Sequence, residues 1–223
     1  MKNLFELFWV RLKSQWFFFT DFCKTVFKYY RNPSFAKADL QLIFGYMLRN
    51  PYKMSRDYLK AKGESDVYAY GETPLATLEE ICEKCGITKS DTVFELGCGR
   101  GRTCFWLNQW LGCRVVGIEF IPQFVEIADI VKNSSDLKGI EFRCEDFTES
   151  SLEGATVVYL FGTCLKDEDI EKLAKKIENL PAGTKIVSVS FPLTDYTDKL
   201  ETMRRFEGRF AWGGADVYFQ IRK

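Results

Sequence analysis

The stretch that decides the fold is Thr92-Val93-Phe94-Glu95-Leu96-Gly97-Cys98-Gly99-Arg100-Gly101-Arg102. A short apolar run ends at an acid, three glycines follow at alternate positions, and residues 103–107 can continue as a helix. A buried strand, a glycine turn and a helix N-terminus in this order form a site for the polar end of a ligand. Glycine permits φ > 0 and a close approach of backbone N–H groups, and the helix dipole favours a carboxylate or phosphate.

The spacing of these glycines separates two kinds of cofactor site. A dinucleotide-binding turn has the form Gly-x-Gly-x-x-Gly, and its third glycine would stand at position 102, where this chain has Arg102. The acid-x-Gly-x-Gly-x-Gly pattern instead resembles motif I of the class I S-adenosylmethionine-dependent methyltransferases. The resemblance implies cofactor-binding roles for five residues, which are Glu95, Gly97, Cys98, Gly99 and Gly101.

Two further strands each end at residues that suit the same cofactor. Residues 114–118 form an apolar run, and Glu119 follows it at the position from which an acid accepts hydrogen bonds from both ribose hydroxyls. Residues 140–144 form the next run, before Asp146 and Phe147. The resemblance implies that Phe120 also lines the site, that Asp146 accepts from the adenine amine, and that Phe147 lies against the ring.

The rest of the chain completes an α/β pattern. A fourth strand is predicted over 156–160 and a fifth over 185–190, and two final runs, 205–210 and 216–221, flank Gly213-Gly214 as an antiparallel pair. Together with motif I they predict a Rossmann-like, doubly wound, seven-stranded sheet. In methyltransferases of this class the acceptor lies where the fourth strand ends, here at Phe161-Gly162-Thr163.

The segment before motif I narrows the resemblance. Thr73 and Pro74 are suitable as N-cap and first residue of a helix. Tyr70-Gly71-Glu72 upstream of them is similar to the histone lysine methyltransferases that lack a SET domain. A tyrosine followed by Thr-Pro also resembles the small lysine methyltransferases of the adenine nucleotide translocase and the ATP synthase c subunit. In both groups this loop closes over the methionine end of the cofactor, which implies that Tyr70 and Thr73 bind it.

The acceptor side departs from the histone-modifying group, which carries an asparagine near the end of the fourth strand where this chain has Phe161-Gly162-Thr163. Nucleosome-specific chemistry is therefore disfavoured, and Ser188–Pro192 resembles the fifth-strand ending of the small lysine methyltransferases. We predict that Tyr70 and Thr163 orient the acceptor amine and that Phe161 forms an apolar wall. Two alternatives stay open: a small-molecule or lipid methyltransferase of the same fold, and a non-catalytic module that only binds the cofactor.

The first 62 residues differ in charge and composition from the rest. They contain 12 Lys/Arg against 4 Asp/Glu, although the whole chain carries 31 of each. Residues 4–30 repeat large apolar side chains at heptad spacing, from Phe5 through Trp9, Leu12 and Trp16 to Tyr30. We predict a basic, aromatic-rich helical extension over 1–66, with further helices over 40–48 and 52–62, and a methyltransferase domain over 67–223.

This first helix has three possible partners: an anionic membrane surface, the chain's own domain and a second copy. Charged residues interrupt any apolar run of about 20, so it is not expected to span a bilayer, and no signal-peptide cleavage site follows it.

Composition restricts the remaining chemistry. The chain has no histidine, which excludes imidazole bases and histidine-dependent metal sites. Cys82 and Cys85 form a lone Cys-x-x-Cys with no second pair, so no metal site is expected. Eight cysteines in mostly apolar segments suggest a reducing compartment, hence the cytoplasm, where the first helix is compatible with a location peripheral to a membrane. Nucleic acid is not expected as a partner, because the basic charge lies outside the predicted methyltransferase domain.

Overall fold

The computed structural model describes residues 2–64, 66–68, 70–162 and 165–223, with the backbone alone for residues 2–7 and 10. The helices, in chain order, are α1 Lys2–Lys28, α2 Pro33–Gly45, α3 Pro51–Lys62, α4 Leu75–Lys84, α5 Arg102–Trp106, α6 Pro122–Ser134 and α7 Asp167–Ile177. Short turns of other helical types lie at Tyr29–Arg31, Leu107–Leu111 and Leu193–Asp195. The strands are β1 Thr92–Leu96, β2 Arg114–Glu119, β3 Ile140–Cys144, β4 Val157–Leu160, β5 Lys185–Val189, β6 Leu200–Phe210 and β7 Gly213–Arg222.

The seven strands form one sheet in the order β3-β2-β1-β4-β5-β7-β6. The first five are parallel, and β7 runs antiparallel between β5 and β6. The chain leaves β1 toward β2 and β3 on one side and returns to β4 on the other. The point where the strand order reverses therefore lies between β1 and β4, where open α/β sheets bind ligands at the carboxyl ends of their strands. The predicted doubly wound, seven-stranded α/β fold is confirmed.

Apolar side chains cover both faces of the sheet, as parallel strands require. On one face Phe105 of α5 and Phe124 of α6 are buried in a large cluster. On the other face Leu173 and Ile177 of α7 pack with Phe94 of β1 in a second cluster. Two covered faces leave the strand ends as the place where polar ligand groups can reach the sheet.

The helix α2 starts earlier than the sequence predicted, and the prediction of a helix over 40–48 was wrong at both ends. The side chain of Asn32 accepts hydrogen bonds from the backbone N–H groups of Ser34 and Phe35, and Pro33 occupies the first helical position. An asparagine cap followed by proline begins a helix rather than only ending the previous one. Helix α3, by contrast, ends at Lys62 before Gly63 as expected.

The helix α2 is part of the core. Its Phe35, Ala38 and Leu42 are fully buried in the cluster that also covers α5 and α6. Its Asp39 is buried too and makes a bidentate ion pair with Arg102 of α5, at 2.7 and 2.9 Å. Whether the chain divides into domains at residue 66 stays a prediction.

The helix α1 is buried only near its end. Thr25 in its last turn is buried, as is Tyr29 just after the helix, whereas Trp9, Trp16 and Phe19 are 46%, 67% and 58% exposed. The predicted apolar seam is therefore largely exposed to solvent at Leu12, Trp16 and Phe19. The side chain of Phe5 lies outside the described residues. Within the described residues, no helix has both the length and the apolar character needed to cross a membrane.

Candidate active site

The glycine turn after β1 is shaped by three left-handed residues. Gly97, Gly99 and Gly101 have φ of 74°, 54° and 73°. A Cβ at Gly99 would lie 2.9 Å from the Tyr70 ring, and one at Gly101 would lie 2.6 Å from the Phe142 ring. A Cβ at Gly97 would meet nothing within 4 Å. The turn is thus closely packed on two sides and open above Gly97, the position at which a ligand can approach the backbone.

Glu119 ends β2 beside this turn with its side chain buried. Its Oε2 accepts from the backbone N–H of Gly99 at 2.8 Å and its Oε1 from that of Ile121 at 2.9 Å. Burial raises the pKa of this carboxyl, and the backbone hydrogen bonds act in the opposite direction. Because a carboxylate oxygen has two lone pairs, each oxygen keeps acceptor capacity for a sugar hydroxyl.

Glu95 lies beneath the turn. Its carboxylate is buried and accepts from the Thr103 hydroxyl at 2.6 Å and the Cys104 thiol at 3.0 Å. Burial raises the pKa of Glu95 to about 7. The predicted cofactor residues Glu95 and Cys98 line a small cavity of about 20 Å³ under the turn.

A larger cavity, of about 120 Å³, lies at the carboxyl ends of β1, β2 and β4. The structure brings seven predicted site residues to its walls: Tyr70, Gly97, Gly99, Glu119, Phe120, Phe147 and Phe161. A buried carboxylate beside aromatic rings and an open glycine fits a nucleoside, with hydroxyls for the acid and a flat ring for the aromatics. The residues present therefore fit S-adenosylmethionine, and Glu119, Phe120 and Phe147 would hold its adenosine.

Gly101 and Asp146, both predicted to bind the cofactor, line neither this cavity nor the small one. Asp146 is exposed, and its Oδ1 accepts from both the backbone N–H and the hydroxyl of Thr148, each at 2.8 Å. Its proposed contact with the adenine amine stays a prediction. Thr163, predicted to orient the acceptor amine, lies outside the described residues.

Sequence reasoning did not assign the other eight wall residues to the site, and four of these eight lie outside the motifs that it used. These four are Ser55 and Leu59 of α3, together with Ile121 and Leu165. Helix α3 is held there by Tyr58, whose hydroxyl donates to the carbonyl of Phe120 at 3.1 Å and whose ring meets the Phe120 ring edge-on. The i, i+4 spacing of Ser55 and Leu59 indicates a shared face, but nothing in the sequence states what that face covers.

Three side chains tie the upstream loop to the glycine turn. The Arg100 guanidinium donates to both oxygens of Glu72, at 2.5 and 2.7 Å, and the Tyr70 hydroxyl donates to the same carboxylate. Burial acts to raise the pKa of Glu72, but the Arg100 charge and these hydrogen bonds outweigh it and hold the pKa below its ordinary value. Burial, and then the Glu72 charge, raises the pKa of Tyr70 well above normal. The Tyr70 hydroxyl is therefore protonated at neutral pH and engaged with Glu72.

Thr73 does not cap α4, so that expectation was wrong. The helix begins at Leu75 after Pro74, with no side-chain cap. Thr73 is buried against the sheet, and its hydroxyl is hydrogen-bonded to that of Tyr159 on β4 at 2.5 Å. A buried hydroxyl needs a partner, and the tyrosine provides it. Thr73 also lines the small cavity under the glycine turn, on the side of the Tyr70–Thr73 loop.

An aromatic wall stands at the acceptor side. The Phe161 ring follows β4 and lies 5.5 Å from both Phe210 and Trp212, measured between ring centroids. Gly71 covers the edge of this wall, since a Cβ there would lie 3.0 Å from Phe161 and 3.6 Å from Trp212. In the described part of the chain, no group of three or more Cys, Asp or Glu side chains could hold a metal ion.

Comparison with known proteins agrees with this geometry. Residues 95–199 match the family model described as the ANTKMT methyltransferase domain. A protein-lysine N-methyltransferase of Saccharolobus islandicus (strain REY15A) is 30% identical over 139 residues, covering 58% of this chain and 81% of that protein. The H3 lysine-79-specific histone-lysine N-methyltransferase of Dictyostelium discoideum is 28% identical over 190 residues, covering 72% of this chain. The chain spans only 10% of the length of that second relative.

A solved structure extends the comparison to the cofactor. The RNA methyltransferase from Salinibacter ruber, in complex with S-adenosyl-L-homocysteine, matches with a TM-score of 0.55 and 28% identity. The match covers 68% of this chain and 93% of that one. The fold of this chain is thus shared with a protein whose structure contains S-adenosyl-L-homocysteine. The chain belongs to the class I S-adenosylmethionine-dependent methyltransferases, in the family of the Saccharolobus protein-lysine N-methyltransferase.

Proposed function

We propose that this protein is a protein-lysine N-methyltransferase. The observation that carries the proposal is the aromatic wall formed by Phe161, Phe210 and Trp212 beside the cofactor cavity. Two relatives named as lysine N-methyltransferases support the choice of acceptor. A narrow apolar wall suits the long methylene stem of lysine, and aromatic rings also attract its ammonium group.

The reaction requires alignment more than acid–base machinery. S-adenosylmethionine would supply a methyl group on a sulfonium. An amine lone pair would attack the methyl carbon in one step, so that the N–C bond forms as the C–S bond breaks, the bonding electron pair goes to sulfur and S-adenosylhomocysteine leaves. Holding two reactants in line contributes roughly 7–11 kcal/mol to such a step. In this chain Gly97 and Glu119 would position the cofactor, and Phe161 would limit the directions from which an amine can approach.

The acceptor amine must first lose a proton. For a lysine of pKa near 10.4, this costs about 4–5 kcal/mol at pH 7. Burial of the amine in an apolar slot lowers that cost, because desolvation disfavours the charged ammonium. Tyr70 and Thr163 are the predicted hydroxyls for orienting the amine, and the Tyr70 hydroxyl would have to turn from Glu72 to do so. The proton that the amine loses before transfer goes to solvent, and the methylated product is formed as an ammonium ion.

The test is transfer of labelled methyl from S-adenosylmethionine into a lysate of the source cells. Membrane protein, soluble protein, nucleic acid and small molecules are counted separately, and the protein is hydrolysed to identify the labelled amino acid. We expect methyl-lysine from protein. Label confined to small molecules, lipid or RNA would refute the lysine proposal in favour of another acceptor. Cofactor binding without any label would instead favour a binding module.

We also propose that the outer face of α1 lies on an anionic membrane surface. Leu12, Trp16 and Phe19 are spaced four and three residues apart and are exposed, and the nearby Arg11 and Lys24 are exposed as well. A helix with large apolar side chains on one face and basic ones beside them suits a membrane interface. A second copy of the chain is the competing occupant of this face.

Vesicle sedimentation distinguishes the two. We expect the protein to pellet with vesicles containing phosphatidylserine and less with neutral phosphatidylcholine, and to lose this binding in the Trp16→Ser/Phe19→Ser double variant. A Gln15→Ala control should bind like the wild type. If the wild type does not bind vesicles but forms a dimer in solution, and the double variant disrupts that dimer, then the partner of this face is a second copy of the chain and not a membrane.

We propose a reducing, cytoplasmic location for the protein. The seven cysteines in the described residues are free thiols, and five of them are buried. Alkylation of rapidly quenched cell fractions should find them reduced in the cytoplasmic or peripheral-membrane fraction. Oxidised thiols in an exported fraction would contradict this location.

A further inference from the structure

A cavity larger than the cofactor cavity lies beside α1. It has a volume of about 830 Å³ and lies between α1 and the β6–β7 turn. Ser14, Phe17, Phe18 and Asp21 of α1 form one side, and Phe210 and Trp212 form the other. This volume is within the range of small-molecule and side-chain binding pockets, roughly 300–1,000 Å³.

The two cavities share a partition. Tyr70 and Gly71 line both of them. Phe161 lies on the cofactor side of this partition, and its ring lies 5.5 Å from that of Trp212 on the other side. The absence of a side chain at Gly71 is what allows the rings to meet there, because a Cβ would lie 3.0 Å from Phe161. The large cavity thus approaches the cofactor cavity at the end of β4.

The helix α1 presents different faces to the cavity and to solvent. Residues 14, 17, 18 and 21 are spaced by three and four, so they share one face of the helix. Leu12, Trp16 and Phe19 lie on the opposite face and are exposed. The inner face is therefore distinct from the face that we assigned to a membrane.

The inner face carries one carboxylate. The Asp21 side chain is 13% exposed, and Arg102 lies 4.0 Å from it. Arg102 is already held by the bidentate pair with Asp39, and Arg100 by its pair with Glu72. Asp21 is therefore paired only loosely with Arg102, while the Lys24 charge also acts on it and Lys13 lines the same cavity. An ammonium group entering the cavity would give this carboxylate a closer partner than Arg102.

Resting on the proposed function, we propose that the acceptor lysine reaches the cofactor through the cavity between α1 and the β6–β7 turn. Asp21 attracts the ammonium group, and the aromatic wall of Phe210, Trp212 and Phe161 holds the methylene stem. The inner face of α1 is on this basis part of the protein-substrate site. Residues of the substrate next to the lysine would contact Phe17 and Phe18.

A cavity-filling variant tests this path. Ser14→Trp places an indole in the cavity from α1, and Gln15→Trp adds the same side chain to the next, exposed position. Each full-length variant is assayed for methyl-lysine formation in total lysate protein, and its affinity for S-adenosylhomocysteine is measured by calorimetry. We expect Ser14→Trp to lower transfer about 100-fold, as misplacement of a reactant does, with unchanged affinity for the nucleoside. Gln15→Trp should match the wild type in both measurements.

The outcomes separate this inference from the proposed function. If the wild type forms no methyl-lysine, the proposed function fails and this path fails with it. If the wild type is active and Ser14→Trp equals Gln15→Trp, the path is refuted while the function stands. Loss of nucleoside binding in a folded Ser14→Trp protein would also refute it, because the cavity would then belong to the cofactor.

A second variant decides the question if Ser14→Trp does not fold. Trp212→Ala removes a side chain that is 53% exposed, so the fold is expected to survive. We expect a rise in KM for lysate protein of about tenfold, on the scale of losing an aromatic anchor, with no change in nucleoside affinity. An unchanged KM would overturn the assignment of this wall.

Discussion

Gly97 and Gly101, the first and last glycines of motif I, both have a left-handed backbone. Substituting each of them separates the energetic cost of backbone strain from the cost of close packing. Gly97 and Gly101 have almost the same φ, 74° and 73°. A methyl group at Gly101 would lie 2.6 Å from the Phe142 ring, whereas one at Gly97 would meet no atom within 4 Å. Phe142 is buried and its ring packs at 5.4 Å from that of Phe105, so it cannot move aside freely.

The expected magnitudes follow from these environments. A left-handed conformation costs a non-glycine residue about 1–2 kcal/mol, and this applies to Gly97→Ala and Gly101→Ala alike. Overpacking against a buried ring adds about 1–3 kcal/mol at Gly101 alone. The loss of unfolded-state entropy is the same for both substitutions and cancels in the comparison. Gly101→Ala should therefore be about 1–3 kcal/mol less stable than Gly97→Ala.

Urea unfolding with linear extrapolation measures this difference, and a Tm lower by roughly 2–4 °C per kcal/mol should accompany it. The effect on ligand affinity should be the reverse of the effect on stability. Gly97→Ala projects a methyl group into the open space above the turn, so it should weaken the binding of S-adenosylhomocysteine more than Gly101→Ala does. Equal unfolding free energies for the two variants would refute the packing explanation. A Phe142→Leu background that fails to relieve Gly101→Ala would refute it independently.

Three further predictions concern buried carboxylates. The pKa of Glu95 is raised from 4.5 to about 7 by burial, so the folded state binds more protons than the unfolded state between these values and stability falls as pH rises through them. Glu95→Gln should remove this fall, worth at most roughly 3 kcal/mol, and parallel Tm–pH profiles for the two proteins would contradict it. Glu119→Ala should weaken the binding of S-adenosylhomocysteine about 10- to 100-fold, measured by calorimetry, because charged hydrogen bonds are lost. An unchanged affinity would exclude a role for Glu119 in cofactor binding. Asp39→Ala should cost about 3–5 kcal/mol in urea unfolding because it leaves Arg102 without its buried partner. Asp198→Ala at an exposed pair should leave stability unchanged, and equal effects of the two substitutions would contradict the role of burial.

Local patterns were sufficient for the sheet and the cofactor turn. The alternate glycines after Glu95 predicted the strand, the turn and the helix, because φ > 0 is a property of the backbone at single positions. The apolar runs predicted all seven strands, and Glu119 was predicted at the end of β2, where it lies. These signals are short in range, so no knowledge of distant contacts was needed to read them.

The roles of residues that depend on contacts with distant parts of the chain were predicted wrongly or not at all. Thr73 has the sequence features of an N-cap, but its hydroxyl pairs with Tyr159, 86 residues away in the chain. Gly117 lies in the middle of β2 without a turn, and a Cβ there would come within 2.8 Å of the sulfurs of Cys98 and Cys104. Both cases depend on which side chain a fold places opposite a residue.

The sequence by itself determined the strands and the glycine turn, since periodicity and turn chemistry are encoded residue by residue. The resemblance of motif I to class I methyltransferases then indicated the fold class and the cofactor. Only the tertiary structure decided that α3 covers the cofactor cavity, that Arg100 joins Glu72, and that the two faces of α1 differ, one lining a cavity and the other exposed. An amphipathic helix reveals in its sequence that it has an apolar face. What lies against that face depends on the packing of elements far apart in the chain, which no local pattern contains.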